Sequence, residues 1–162
     1  MRIVFIILLI IFLLFYCKNI QENLNKDKSL NIYNKNLERC TSEFSDKPTG
    51  YYRDGYCNTD ENDKGTHTVC AKMTDDFLKY TYSQGNDLIT SKGDSFKGLK
   101  ENDYWCLCAL RWKEVHDEKP ELAPRIKTNS THKKTLDFIS KNTLEYYNLK
   151  EYGNKYKIWI II

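Results

Sequence analysis

A chain of 162 residues allows one compact domain and little beyond it. Its 25 basic and 22 acidic residues are interleaved and leave a net charge of only +3, with no basic stripe to track a phosphate backbone, which argues against nucleic acid as a partner. Hydrophobic residues make up 41% of the chain but are concentrated in the first 16 positions, so the core of the remainder must lean on Tyr, Phe and Trp, which bury roughly 150–250 Å² each.

Met1-Arg2 is followed by an unbroken apolar run from Ile3 to Tyr16. As a helix this run rises roughly 21 Å, short of the ~30 Å hydrocarbon core of a bilayer. A positive start and a short apolar stretch fit an export signal or membrane anchor over residues 1–17. Cys17 closes the run and is a candidate for lipid attachment. Leu14-Phe15-Tyr16 departs from the Leu-small-small pattern of lipoproteins, and no Ala-x-Ala-like site follows. Lipoprotein and uncleaved signal-anchor both stay open. Either form is expected to hold the domain to a membrane, on its extracytoplasmic side.

Residues 18–47 are rich in Asn, Lys, Asp, Glu and Gln and read as a polar spacer with too little apolar surface to pack firmly. Lys47-Pro48-Thr49-Gly50 is turn chemistry and marks the expected entry to a globular domain over 48–150. Arg53-Asp54-Gly55 makes a further turn and Asp60 to Gly65 a polar loop. From His67 to Met73 the chain alternates, with His67, Val69, Ala71 and Met73 on one face and Thr68, Cys70 and Lys72 on the other, which predicts a strand. Thr74 is a natural N-cap, Asp75 and Asp76 suit a helix N-terminus, and Gly85 a stop, so a helix is expected from Asp75 to about Gln84. A long loop from Asn86-Asp87 leads to a strand from Trp105 to Cys108, which passes into a helix ending near Glu118. Pro120 to Pro124 breaks that helix. Arg125 to Thr128 is expected as a strand, Thr131 as the cap of a short helix through Ile139, and Asn142 or Thr143 as the cap of another. The tail, 151–162, reads as an edge strand or a membrane-facing end. The expected fold is a small, single, two-layer α+β domain of short strands and helices behind an N-terminal hydrophobic signal or anchor.

The residues that can carry chemistry cluster in three blocks: Gly50 to Cys57, His67 to Ala71 and Trp105 to Trp112. Between them they hold three Tyr, two Trp, four Cys, two Arg, a His and an Asp. Leaving Cys17 aside, the cysteines are Cys40, Cys57, Cys70, Cys106 and Cys108, an odd number that cannot pair completely within one chain. Three readings stand: small buried hydrophobes, two disulfides with one free thiol, or metal ligands. A zinc site would draw on His67, Cys70, Cys106 and Cys108, with Cys57 and His132 in reserve, although no Cys-x-x-Cys pair supports it. A thiol nucleophile would need His67 to approach a cysteine through the fold, since His67 and Cys70 lie on opposite strand faces. Arg53 and Asp54 can position an anionic ligand or simply build their turn, and Asn86-Asp87 can bind or merely shape a loop. Arg111, between Trp105 and Trp112, can stack on an indole. With Tyr52, His67, Trp105 and His132, these residues form the expected ligand-binding set. No P-loop, dinucleotide-binding glycine fingerprint, Gly-x-Ser-x-Gly elbow or His-Glu-x-x-His is present.

In order, the chain carries Gly50-x-Tyr52-Arg53-Asp54-Gly55-Tyr56-Cys57, Asp63-x-Gly65-x-His67-Thr68-Val69-Cys70-Ala71, Thr74-Asp75-x-Phe77-Leu78, Gly85-Asn86-Asp87-Leu88, Gly98-Leu99-Lys100, Asp103-x-Trp105-Cys106-Leu107-Cys108-Ala109 and Arg111-Trp112-x-Glu114, then Ala123-Pro124 and Thr131-His132. From Gly50 to Asn148 this resembles the mostly bacterial family called domain of unknown function 2237. The resemblance implies a small α+β domain and brings no activity, cofactor or catalytic residue with it. Two features depart from the family's usual form: Ser91 to Lys97 contains no proline, and a hydrophobic N-terminus precedes the domain. Three functional classes follow: a membrane-tethered domain that binds a small ligand or a protein partner, an enzyme with a Cys/His thiol or zinc centre, or a structural interaction module.

Overall fold

The computed structural model describes residues 7–18 and 29–149. Residues 7–18 form a helix, α1, whose side chains are all exposed, and among the described residues no helix is long and apolar enough to cross a membrane. The tail at 151–162 lies outside the described residues.

At the centre is a two-stranded antiparallel ribbon, β1 (Val69–Lys72) against β2 (Tyr104–Leu107), in the register Val69↔Leu107, Cys70↔Cys106 and Ala71↔Trp105. Alternation gives it two different faces. Val69, Ala71, Trp105 and Leu107 join the main core, whereas Cys70 and Cys106 turn the other way into a separate cluster with Cys40 and Cys57. These four form two disulfides, Cys40–Cys70 and Cys57–Cys106. The mixed helix and small sheet agree with the expected α+β class.

Two helices cover the main-core face. α2 (Asp75–Ser83) starts where Thr74 accepts the Phe77 backbone N–H on its Oγ1 at 3.3 Å, has Asp75 and Asp76 in its first turn, and buries Phe77, Leu78 and Thr81. α3 (Ala109–Glu118) follows β2 with only Cys108 between them and buries Ala109, Trp112 and Val115 at the three-residue spacing of one helical face. Trp112 is fully buried, donates its indole N–H to the Pro124 carbonyl at 3.0 Å, and meets Tyr147 edge-on at 5.0 Å.

Several expectations need correction. Part of the stretch read as spacer belongs to the domain, because Ile32, Leu37 and Cys40 are buried. Asn31 is 2% exposed yet satisfied: its amide donates to the Asn36 and Asn129 carbonyls, and its Oδ1 accepts the Tyr33 and Lys35 N–H groups. Arg125 to Thr128 is not a strand but a pair of single bridges, Ala71↔Ile126 and Ile126↔Asn148, which extend the ribbon. The Lys133–Asp137 turn is 3₁₀ and is capped by His132 rather than Thr131. α4 (Lys141–Tyr146) is capped by Ser140, whose Oγ accepts the Thr143 N–H.

Trp112→Ala is expected to cost about 3–5 kcal/mol, because it empties the centre of the core and orphans the Pro124 carbonyl. Leu110→Ala, on the exposed face of the same helix, should stay within about 0.5 kcal/mol. Denaturant unfolding under non-reducing conditions checks the contrast.

Candidate functional site

Beside the ribbon opens a cleft of about 530 Å³, within the usual range for a small-molecule site of roughly 300–1,000 Å³. One wall is the loop from Thr49 to Tyr56. Gly50 adopts φ +90°, and a Cβ there would lie 2.0 Å from the Tyr56 carbonyl oxygen, so the turn closes only with glycine. The Gly55 N–H donates to the Thr49 carbonyl, and Asp54 Oδ1 accepts the Tyr56 N–H at 2.9 Å. The Thr49 hydroxyl accepts the Cys106 N–H at 2.7 Å, fixing the loop to β2.

This turn holds Arg53 in the left-handed region, at φ +58°, an uncommon conformation for a side chain of its size. The guanidinium lies 4.8 Å over the Trp105 ring, and burial lowers its pKa from the ordinary value. Trp105 packs edge-on against Phe96 at 5.4 Å. Arg53, Phe96 and Trp105 also border a smaller depression of about 160 Å³, so the stacked arginine stands between two hollows.

A histidine–carboxylate pair forms a second wall. Asp63, whose side chain is fully buried, accepts His67 Nδ1–H on Oδ1 at 2.6 Å. Its Oδ2 accepts the His67 backbone N–H at 2.8 Å and the Thr59 hydroxyl at 3.1 Å. The imidazole rests over Gly65, where a Cβ would lie 2.4 Å from His67 Cε1. Tyr51 lies nearly parallel to it, with centroids 6.4 Å apart. A carboxylate on Nδ1–H selects the tautomer whose Nε2 lone pair is free for a ligand or a proton.

The third wall follows α2. The Asn86 N–H returns to the Thr81 carbonyl, and its side-chain amide donates to the Thr81 hydroxyl at 2.9 Å. Asp87 Oδ1 accepts the Thr90 and Ile89 N–H groups, and these bonds, Thr90 first, hold its carboxyl below the usual range. Asp87 is thus an ionised turn-former at the rim. Lys92 joins Arg53 as a second cation lining the cleft.

Five of the expected ligand-binding residues, Arg53, His67, Asn86, Asp87 and Trp105, therefore line one cleft. The other four do not. The Tyr52 hydroxyl donates to exposed Asp60, which pushes its pKa up to about 12. Asp54 builds its turn. Arg111 pairs with Glu114 at 2.8 Å instead of stacking between the two tryptophans, and Arg53 takes the indole. His132 is buried: its N–H donates to the Thr68 carbonyl and its Nδ1 accepts the Lys134 N–H. The zinc set His67, Cys70, Cys106 and Cys108 does not assemble, because Cys70 and Cys106 are consumed by separate disulfides and His67 is held by Asp63. Among the described residues the free cysteines are Cys17, exposed on α1, and Cys108, at the start of α3. Sequence reasoning missed Asp63 as a site residue, although its spacing four residues before His67 was the available signal.

The chain belongs to the family described as uncharacterized protein conserved in bacteria, DUF2237, whose model matches residues 30–148. No curated protein matches it.

Burial, with Lys133 and Lys134 adding to it, lowers the His132 pKa from 6.5 to about 4. Between those values the unfolded chain binds a proton that the folded chain refuses. Stability is therefore full above about pH 6.5 and declines as pH falls towards 4. His132→Asn keeps an acceptor for the Lys134 N–H and removes the titration. Thermal unfolding midpoints measured across this window should fall less steeply for the variant than for the parent.

Proposed function

We propose that this protein is a ligand-binding domain, held at the extracytoplasmic face of a membrane through its N-terminus, and that its cleft takes a small anionic molecule with a flat apolar part. The observation that carries this reading is the convergence of Arg53, His67, Asn86, Asp87 and Trp105, drawn from four separate segments of the chain, on one cleft. Arg53 is already partly desolvated and oriented over an indole, so an incoming carboxylate gains a charge-assisted bond at little ordering cost. Lys92 adds positive charge, and Asp87 is committed to backbone N–H groups. Trp105, Phe96 and Leu88 offer apolar surface to a planar group. Two disulfides suit an oxidising compartment, and the exposed apolar side chains of α1 suit attachment to a membrane.

One observation favours a second reading, acid–base catalysis on a ligand bound in the same cleft. The buried Asp63 carboxylate orients His67 as the middle member of a catalytic triad is oriented, and that leaves Nε2 to accept a proton.

Titration of the protein with simple aromatic carboxylates, followed by amide chemical shifts, tests the binding reading. Shifts should concentrate at Tyr51, Arg53, His67, Asn86, Leu88 and Trp105. Arg53→Asn, which tolerates the left-handed backbone, should weaken binding at least tenfold, or about 1.4 kcal/mol, while Arg111→Ala leaves it unchanged. Shifts scattered over the surface, or affinity indifferent to Arg53, would remove the cleft from consideration. Turnover that is lost in His67→Asn with binding retained would favour the catalytic reading.

A further inference from the structure

The four cysteines on the far face of the ribbon are closer than two independent disulfides require. Cys70 and Cys106 are cross-strand partners. Their backbone N–H groups bond to the Thr131 and Thr49 hydroxyls instead of to each other, as in a non-hydrogen-bonded antiparallel pair, where side chains approach most closely. Cys40 and Cys57 come in from loops on the same side. The sulfurs of Cys40, Cys57 and Cys70 all lie within 4.8 Å of one another although Cys57 belongs to the other disulfide, and Cys106 is bonded to Cys57. All four residues are 0–1% exposed.

Tetrahedral zinc with four thiolate ligands needs sulfurs about 3.8 Å apart, from zinc–sulfur bonds of about 2.3 Å. Three of the four sulfurs are already drawn together, and the fourth, Cys106 Sγ, is tethered to Cys57 but lies outside that group. Side-chain rotations that bring it towards Cys40 and Cys70 would surround an ion once the S–S bonds are open. Four thiolates on one divalent ion leave a net double negative charge, which burial penalises. A cation stands close by: the Lys127 ammonium donates to the Cys40 carbonyl at 3.0 Å and lies 3.6 Å over the ring of Tyr104, which packs against the four cysteines.

We propose that in the reduced protein Cys40, Cys57, Cys70 and Cys106 form a closed site for one zinc-like soft divalent cation, so that disulfide formation and metal binding are alternative states of the same four sulfurs. In reduction by a dithiol, each disulfide gains two electrons and two protons, its S–S bond breaks to two thiols, and the dithiol becomes a disulfide. Metal entry then displaces the four thiol protons to solvent, and each sulfur donates an electron pair to the ion. Thiolate ligands select soft or borderline cations over magnesium or calcium. The absence of an open coordination position makes this a structural site that holds the ribbon to the same two loops as the disulfides do. It differs from the set expected from sequence, with Cys40 and the reserve ligand Cys57 in place of His67 and Cys108, and it does not depend on what the cleft binds.

The test uses the full chain in detergent, reduced with excess dithiol, freed of metal and reductant without air, and titrated with cadmium. Thiolate-to-cadmium charge-transfer absorption should rise and break at one equivalent. Alkylation after zinc loading should label Cys17 and Cys108 only, whereas the reduced metal-free chain should label at all six cysteines. The Cys40→Ser/Cys70→Ser double variant, which can keep the Cys57–Cys106 bond until reduced, should lose at least a hundredfold in affinity, and Cys108→Ser should lose none. If reduction alone melts the helices, zinc must restore their circular dichroism. No break at one equivalent, zinc uptake without restored helix, labelling at any of the four cysteines under zinc, or loss of binding in Cys108→Ser would each overturn the site.

Discussion

The cross-strand pair of Cys70 and Cys106 is the constraint on which the rest of the structure depends. A two-stranded ribbon is marginal in water by itself, and this one has strands of only four residues. Each central cysteine directs its N–H away from the partner strand, where a threonine hydroxyl on a neighbouring loop accepts it. Each sulfur then joins a loop cysteine 30 or 49 residues away in the chain. Closing loops of that size typically contributes about 2–4 kcal/mol per bond. The disulfide face thus ties the segment around Cys40 and the loop leading to Cys57 onto the ribbon, while the opposite face carries the helical core.

The cleft inherits its shape from this arrangement. Arg53 stands over Trp105 because the Thr49 hydroxyl holds the start of its loop to β2 and Cys57 fastens the chain just beyond the loop's end. Trp105 also serves both sides, as a core residue paired with Ala71 and as a wall of the cleft. The Asp63–His67 pair sits directly before β1, so the strand that supplies Cys70 to the staple also fixes the position of the histidine. Disulfides, cleft and dyad are therefore one mechanical unit. The sulfur cluster is separate from the main core and lies on the opposite face of the ribbon.

Strong local signals were legible in the sequence. The alternation around Val69, the Thr74 cap with its two aspartates, and the passage from Trp105 through Cys108 into a helix ending at Glu118 follow from periodicity and capping. The packing of residues 29–47 was not legible, because Ile32, Leu37 and Cys40 are spaced too irregularly to set a period and the segment pairs through single bridges, Leu30↔Asn36 and Asn31↔His132, with the Asn31 side chain adding to them. Ile126 contributes through single bridges, which leave no strand pattern. Five of nine expected ligand residues share the cleft because the blocks that hold them meet along the ribbon. Asp63 escaped notice since an aspartate in an acidic loop looks solvated until its burial is known. The disulfide partners escaped for a different reason: spacing does not decide connectivity among several cysteines.

Non-reducing peptide mapping by mass spectrometry, on protein purified without added reductant and with thiols blocked at lysis, tests the central constraint most directly. One peptide should link Cys40 to Cys70 and another Cys57 to Cys106, with Cys108 recovered blocked. A bond that includes Cys108, or partners exchanged between the two pairs, would contradict it, because the loop bearing Arg53 would then be fastened somewhere other than beside Trp105.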